Sequence, residues 1–159
     1  MRSFFRVMFL TLVIGSVSLV AGGFGGSFGG KHFGFNYWSD QPEHYIVVHV
    51  DRNDPLTQKL ALNNVANVVK YYGKDNVKIE VVAYGPGLQL LVKGTPNADR
   101  VLTLAQEENI RFSACNNTIQ AIKRKTGEEP DLIDGVIVVP SGVVRITELE
   151  EDGYTYIRP

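Results

Sequence analysis

Four apolar runs, each closing in a turn and leading into a segment of different rhythm, limit what this chain can become. They are HYIVVHVD (44–51), VKIEVVAY (77–84), RFSAC (111–115) and DGVIVVP (134–140). Their length and β-branched content read as buried strands. Between them lie segments with helical spacing. Asp54 and Pro55 suit a cap and a first-turn residue. Leu56, Leu60, Val65, Val68, Val69 and Tyr72 then supply an apolar face, and Gly73 supplies a stop. GPG and LQLLVKG follow the second run, and a helix is expected from about Asn97 to Glu108. The third run leads into NNTIQAIKRKTG (116–127), a short helix with an asparagine cap and a glycine stop. The fourth leads into the helical piece SGVVRITELEEDG (141–153), and YTYIRP closes the chain as a fifth strand.

Strands alternating with helices predict an α/β fold: a three-layer α/β/α sandwich around a mostly parallel sheet of about five strands. Near-continuous apolar strands fit a sheet covered on both faces. At 159 residues one such domain is expected, covering 43–159.

The N-terminus has a different character. Arg2 and Arg6 precede an apolar run from Val7 to Val20 that ends at Ala21, Gly22 and Gly23. This layout predicts a signal peptide over 1–22 and an exported, periplasmic protein. The alternative is an uncleaved segment anchoring the chain to a membrane. Residues 23–42 are too rich in glycine for a helix or strand and read as a linker with aromatic residues. They lack the GxGxxG spacing, so a dinucleotide site is not expected there. A net charge of −1 leaves no electrostatic footprint for nucleic acid.

In a parallel α/β sheet, ligands gather where the loops leave the carboxyl ends of the strands. Here those loops are DRNDP, YGPG, CNNT and PSG. Cys115, the only cysteine, lies among them. A lone cysteine makes no internal disulfide and no CxxC redox pair, and no cluster has metal-ligand spacing. A free cysteine is commonly a small buried hydrophobe. This one ends a strand and immediately precedes a helix N-terminus, whose N–H groups and dipole favour an anion. Asn117 and Thr118 can cap that helix or donate to a thiolate. Such a setting lowers a thiol's pKa and makes the sulfur a nucleophile. Pairing with His49 is conceivable, but His44 and His49 read better as structural strand residues. What remains is chemistry that needs one sulfur: a persulfide, or a transient mixed disulfide. The turns Tyr84-Gly85-Pro86-Gly87 and Pro140-Ser141-Gly142 allow close backbone approach and are candidate binding residues beside Cys115.

The combination VVAYGPGLQLL, FSACNNT and VIVVPSGVVRITELEEDGYTYIRP resembles the DsrE/DsrF-like family of sulfur-relay proteins, in particular its exported members. The similarity covers about 44–159. It implies the three-layer fold and homo-oligomers, typically trimers or hexamers. It implies a persulfide carried on Cys115, without metal or organic cofactor, and passed between a sulfur donor and an acceptor protein. The turns at 85–87 and 140–142 would flank that cysteine. The alternative is a non-catalytic ligand-binding or oligomeric interaction module of the same fold with a structural cysteine.

Overall fold

A computed structural model describes Pro42 and residues 44–159 of the protein. The expected signal peptide, and the linker apart from Pro42, lie outside the described residues. Five strands form one sheet: β1 (His44–Val50), β2 (Val77–Ala83), β3 (Ile110–Cys115), β4 (Ile137–Val139) and β5 (Thr155–Ile157). Their order is β4-β3-β2-β1-β5, and every neighbouring pair is parallel. The helices are α1 (Pro55–Tyr72), α2 (Ala98–Leu104), α3 (Asn116–Thr126) and α4 (Gly142–Glu151). Two 3-10 segments, Lys74–Asn76 and Gly85–Leu91, complete the connections. The expected α/β fold is the one observed. The helix expected over 97–108 is shorter, because the chain turns away after Leu104.

The first three crossovers each step one strand in the same direction, from β1 to β4. Right-handed connections of that kind fall on one face of the sheet. That face holds the main core: Ile46, Val48, Val50, Ile79, Val81 and Phe112 of the strands meet Ala61, Leu62 and Val65 of α1 and Ile119 of α3. The last crossover reverses. It carries the chain from β4 across to β5 at the far edge, so α4 lies on the opposite face, where Ile146 and Leu149 pack on Val47 and Val82.

The two faces therefore differ in chemistry. The buried strand residues of the multi-helix face are all apolar. The α4 face holds the buried polar strand residues His49, Glu80 and Ser113, which alternate with the core residues along β1, β2 and β3. The strands read as doubly apolar only because these residues are few.

Helix α1 begins as expected. Asp54 caps it, accepting from the Thr57 N–H at 2.7 Å, with Pro55 at its start. Its buried face differs from the expectation. Leu56 and Leu60 are exposed, at 76% and 48%, and the residues turned inward are Gln58, Ala61, Leu62 and Val65. Gln58 is buried because it ties the loop after β1: its amide donates to the Arg52 carbonyl and Asn53, and its oxygen accepts from Asn97.

Candidate functional site

Cys115 ends β3 and is itself the N-cap residue of α3. The cap is thus the cysteine, one residue before the expected asparagine, because Asn116 already has helical geometry. Sγ stands where a capping oxygen stands in other helices, facing the N–H groups two and three residues on. Among the described residues the thiol closes no capping hydrogen bond of ordinary geometry, and the N–H groups of Asn117 and Thr118 act on the sulfur as nearby oriented dipoles. The N-terminus of α4 adds the Gly142 N–H, and Thr118 adds its hydroxyl. Burial pushes the Cys115 thiol up. The donors of Gly142, Thr118 and Asn117 outweigh it and leave the thiol below its ordinary range. The first turns of two helices, one from each side of the sheet, converge on one sulfur. That sulfur is also enclosed, since Cys115 is only 4% exposed.

The turns expected to flank the cysteine divide their roles. The Gly85 N–H donates to Thr118 Oγ1 at 2.9 Å, so that hydroxyl is held from behind while its own proton remains for the sulfur. Gly85 adopts a left-handed φ of 53°. Pro86 is exposed and lines a groove of about 370 Å³ with Asn53, Gln89, Thr118 and Lys125. Gly87 does not reach the sulfur. It is buried, and a Cβ there would stand 2.1 Å from the Val50 carbonyl oxygen. Asn117 contributes through its backbone, its side chain being exposed. Pro140 and Ser141 line a second groove, of about 320 Å³, with Arg111 and Arg145. Ser141 precedes α4 without a side-chain cap bond, and the residue of that turn that faces the sulfur is Gly142.

Tyr84 joins the parts. Its ring stacks on His49, centroids 4.6 Å apart, and leaves room at Gly142 for no side chain. Burial, then Asp51 and Tyr156, hold its hydroxyl above the usual phenol range. His49 bonds Tyr156 through Nδ1 at 2.7 Å. Its Nε2 is buried without a partner among the described residues, and burial pushes its pKa down. The Asp51–Arg158 ion pair closes the edge beyond. His49 is engaged with two tyrosines, which agrees with a structural histidine rather than a base for Cys115.

Sequence reasoning missed a further cluster. Glu80, 2% exposed, accepts from Ser113 at 2.6 Å and takes both of its 2.8 Å bonds to Arg145 through separate oxygens. Burial pushes the Glu80 carboxyl up, while Arg145, Ser113 and Arg111 more than offset it and hold the group below the usual carboxylate range. A polar residue within an apolar strand run, Glu80 in VKIEVVAY, was the available signal. Among the described residues no three His, Cys, Asp or Glu side chains are grouped so as to hold a metal ion.

The model of the DsrE/DsrF-like family matches residues 46–159. The chain belongs to the DsrE/DsrF-like family. The matched span holds all four helices, β2 to β5 and β1 from Ile46 onward. Among solved structures, a protein of unknown function from Methanobacterium thermoautotrophicum, MTH1491, is similar at 35% identity and a TM-score of 0.65. The likeness covers 73% of this chain and 99% of that one. No curated protein matches the chain. Membership of the DsrE/DsrF-like family therefore rests on the whole domain rather than on the cysteine alone.

Proposed function

We propose that the protein carries sulfane sulfur as a persulfide on Cys115 and passes it to a partner thiol. The observation that carries this reading is the place of Cys115 at the N-cap of α3, where the Gly142, Asn117 and Thr118 donors favour the thiolate. In the loading step the Cys115 thiolate attacks the outer sulfur of a donor persulfide. An S–S bond forms to Cys115, the donor's S–S bond breaks, and the donor leaves as a thiolate. In unloading, an acceptor thiolate attacks the same outer sulfur, and Cys115 leaves as the thiolate it was. Neither step changes the total oxidation level, so no cofactor is required. The N–H groups that favour the thiolate make Cys115 both a populated nucleophile and a good leaving group.

Export to the periplasm and assembly into homo-oligomers belong to the same proposal. Self-association is supported by exposed apolar residues on β4 and α4: Ile137, Val138, Val143 and Val144.

The test is the rate of Cys115 alkylation against pH, with mass spectrometry after a polysulfide challenge. A midpoint well below that of a free thiol, together with the gain of one sulfur atom that cyanide removes as thiocyanate, is the expected result. No reaction until the chain is denatured would replace this reading with the binding module, which the burial of Cys115 favours. In that case a Cys115→Ala variant keeps its ligand.

A further inference from the structure

Helix α4 reaches its place by crossing the sheet, and its first turn is the part that faces the sulfur. Little in that turn is apolar and inward. Val143 and Val144 are 58% and 53% exposed, and the apolar anchors Ile146 and Leu149 lie further along the helix. What holds the first turn is Arg145. Its backbone N–H closes the turn on the Ser141 carbonyl at 2.9 Å, enclosing Gly142. Its guanidinium reaches down to the sheet and grips Glu80 with two bonds of 2.8 Å, Nε to one oxygen and Nη2 to the other. Glu80 is fixed in turn by Ser113 of β3, the strand that ends in Cys115. A two-point guanidinium–carboxylate contact sets orientation as well as distance.

We propose that Glu80 and Arg145 are positioning residues for the sulfur site, clamping the first turn of α4 to β2 and β3 so that the Gly142 N–H meets Cys115 Sγ. This deepens the persulfide reading and rests on it. The pair does not touch the reacting sulfur; it acts through the helix. A buried carboxylate also has a direct effect, and the two effects have opposite signs. Through space, Glu80 disfavours the Cys115 thiolate, so removing its charge would lower the thiol's midpoint. Through the clamp, Glu80 supports the thiolate, so removing it raises the midpoint.

The experiment follows thiolate ultraviolet absorbance against pH in the full chain, for the wild type, Glu80→Leu, Arg145→Met and the double variant. The ionisable neighbour of the sulfur, Tyr84, is the same in all four. The clamp predicts that each single variant and the double raise the midpoint by a similar amount, about one pH unit, the effect of one lost hydrogen bond to a charged group. Circular dichroism checks folding. Should a single variant not fold, the double carries the test, because it removes the buried charges together. A lowered midpoint in Glu80→Leu, with cancellation in the double, would show a through-space effect and overturn the clamp. Unchanged midpoints in variants that fold would overturn it too. A wild-type midpoint at the ordinary thiol value would instead defeat the persulfide reading itself, so the two failures are told apart.

Discussion

A Cβ on Gly142 would stand 2.8 Å from Cδ1 of Tyr84 and 2.9 Å from its Cβ. The ring on the other side of that contact is itself stacked on His49, so it has little freedom to retreat. Gly142→Ala is therefore expected to lift the first turn of α4 away from the sulfur. The cost in stability is about 1–3 kcal/mol, as for other overpacked sites. Alkylation of Cys115 at neutral pH slows as well. Thermal melts and alkylation rates measure the two effects, and a variant that melts lower with an unchanged rate would separate Tyr84 packing from the thiol.

Gly85 and Gly87 stand two residues apart and are expected to respond very differently to alanine. At Gly87 the new carbon meets backbone, 2.1 Å from the Val50 oxygen and 2.7 Å from the Asp51 nitrogen, and backbone cannot swing aside. Gly87→Ala should cost upwards of about 3 kcal/mol or abolish folding. At Gly85 there is open space, and only the φ of 53° is strained, which costs about 1–2 kcal/mol. Urea midpoints of the two variants rank them, and equal values would contradict this account.

Thr118→Val removes the hydroxyl that faces Cys115 and leaves the Gly85 N–H without its 2.9 Å acceptor. Stability should fall by about 1–3 kcal/mol for the orphaned donor. The Cys115 midpoint should rise by about one pH unit. Thr118→Ser, which keeps the hydroxyl, should restore most of both. A Ser variant no better than Val would place the effect in packing.

Arg145 and Glu80 should differ in what their removal costs. The Arg145 side chain is 23% exposed and can turn to water, whereas that of Glu80 is 3% exposed and cannot. Arg145→Met strands a buried charge and should cost about 3–5 kcal/mol. Glu80→Leu should cost less, and the double variant should lie close to the wild type. Denaturant unfolding of the three supplies the comparison, and a Glu80→Leu protein weaker than Arg145→Met would reverse it.

Mild acid should destabilise the protein through His49. Burial lowers its folded pKa below the unfolded value of about 6.5. The unfolded chain then binds the proton first, so stability is full above about pH 6.5 and is lost as pH falls through that value towards the folded one. Glu80 and Asp54 act lower: their depressed folded values give stability present above about pH 4 and lost below it. Urea midpoints at about pH 7.5 and about pH 5.5 span the histidine's titration, and the depressed Cys115 thiol adds a contribution of the same sign. The difference should shrink in His49→Asn, and an undiminished difference would assign it elsewhere.

The parallel sheet and the cap of α1 were legible because their causes are local. β-branched runs report burial, and Asp54-Pro55 reports a helix start within four residues. The inward face of α1 was not, because Leu56 and Leu60 share the helical period yet point to solvent, while Gln58 is drawn inward by Arg52, Asn53 and Asn97. The neighbourhood of Cys115 was legible on the side of α3, which follows it in sequence. The same site's other donor, Gly142, was foreseen as part of a flanking turn, but its support was not. Glu80 and Arg145 are 65 residues apart in sequence, and only the register of the sheet and the path of α4 bring them together. His49, Tyr84 and Tyr156 meet for the same reason.

The reversed crossover has a consequence for the growing chain. Cys115 is made before α4, so Gly142 and Arg145 can reach the sulfur only once the crossover has been synthesised and has docked. Until then, the sulfur has only the donors of its own helix. A chain interrupted before α4 therefore carries a thiol of more ordinary acidity. On the proposed function, full activation of the thiol would then wait until α4 has docked.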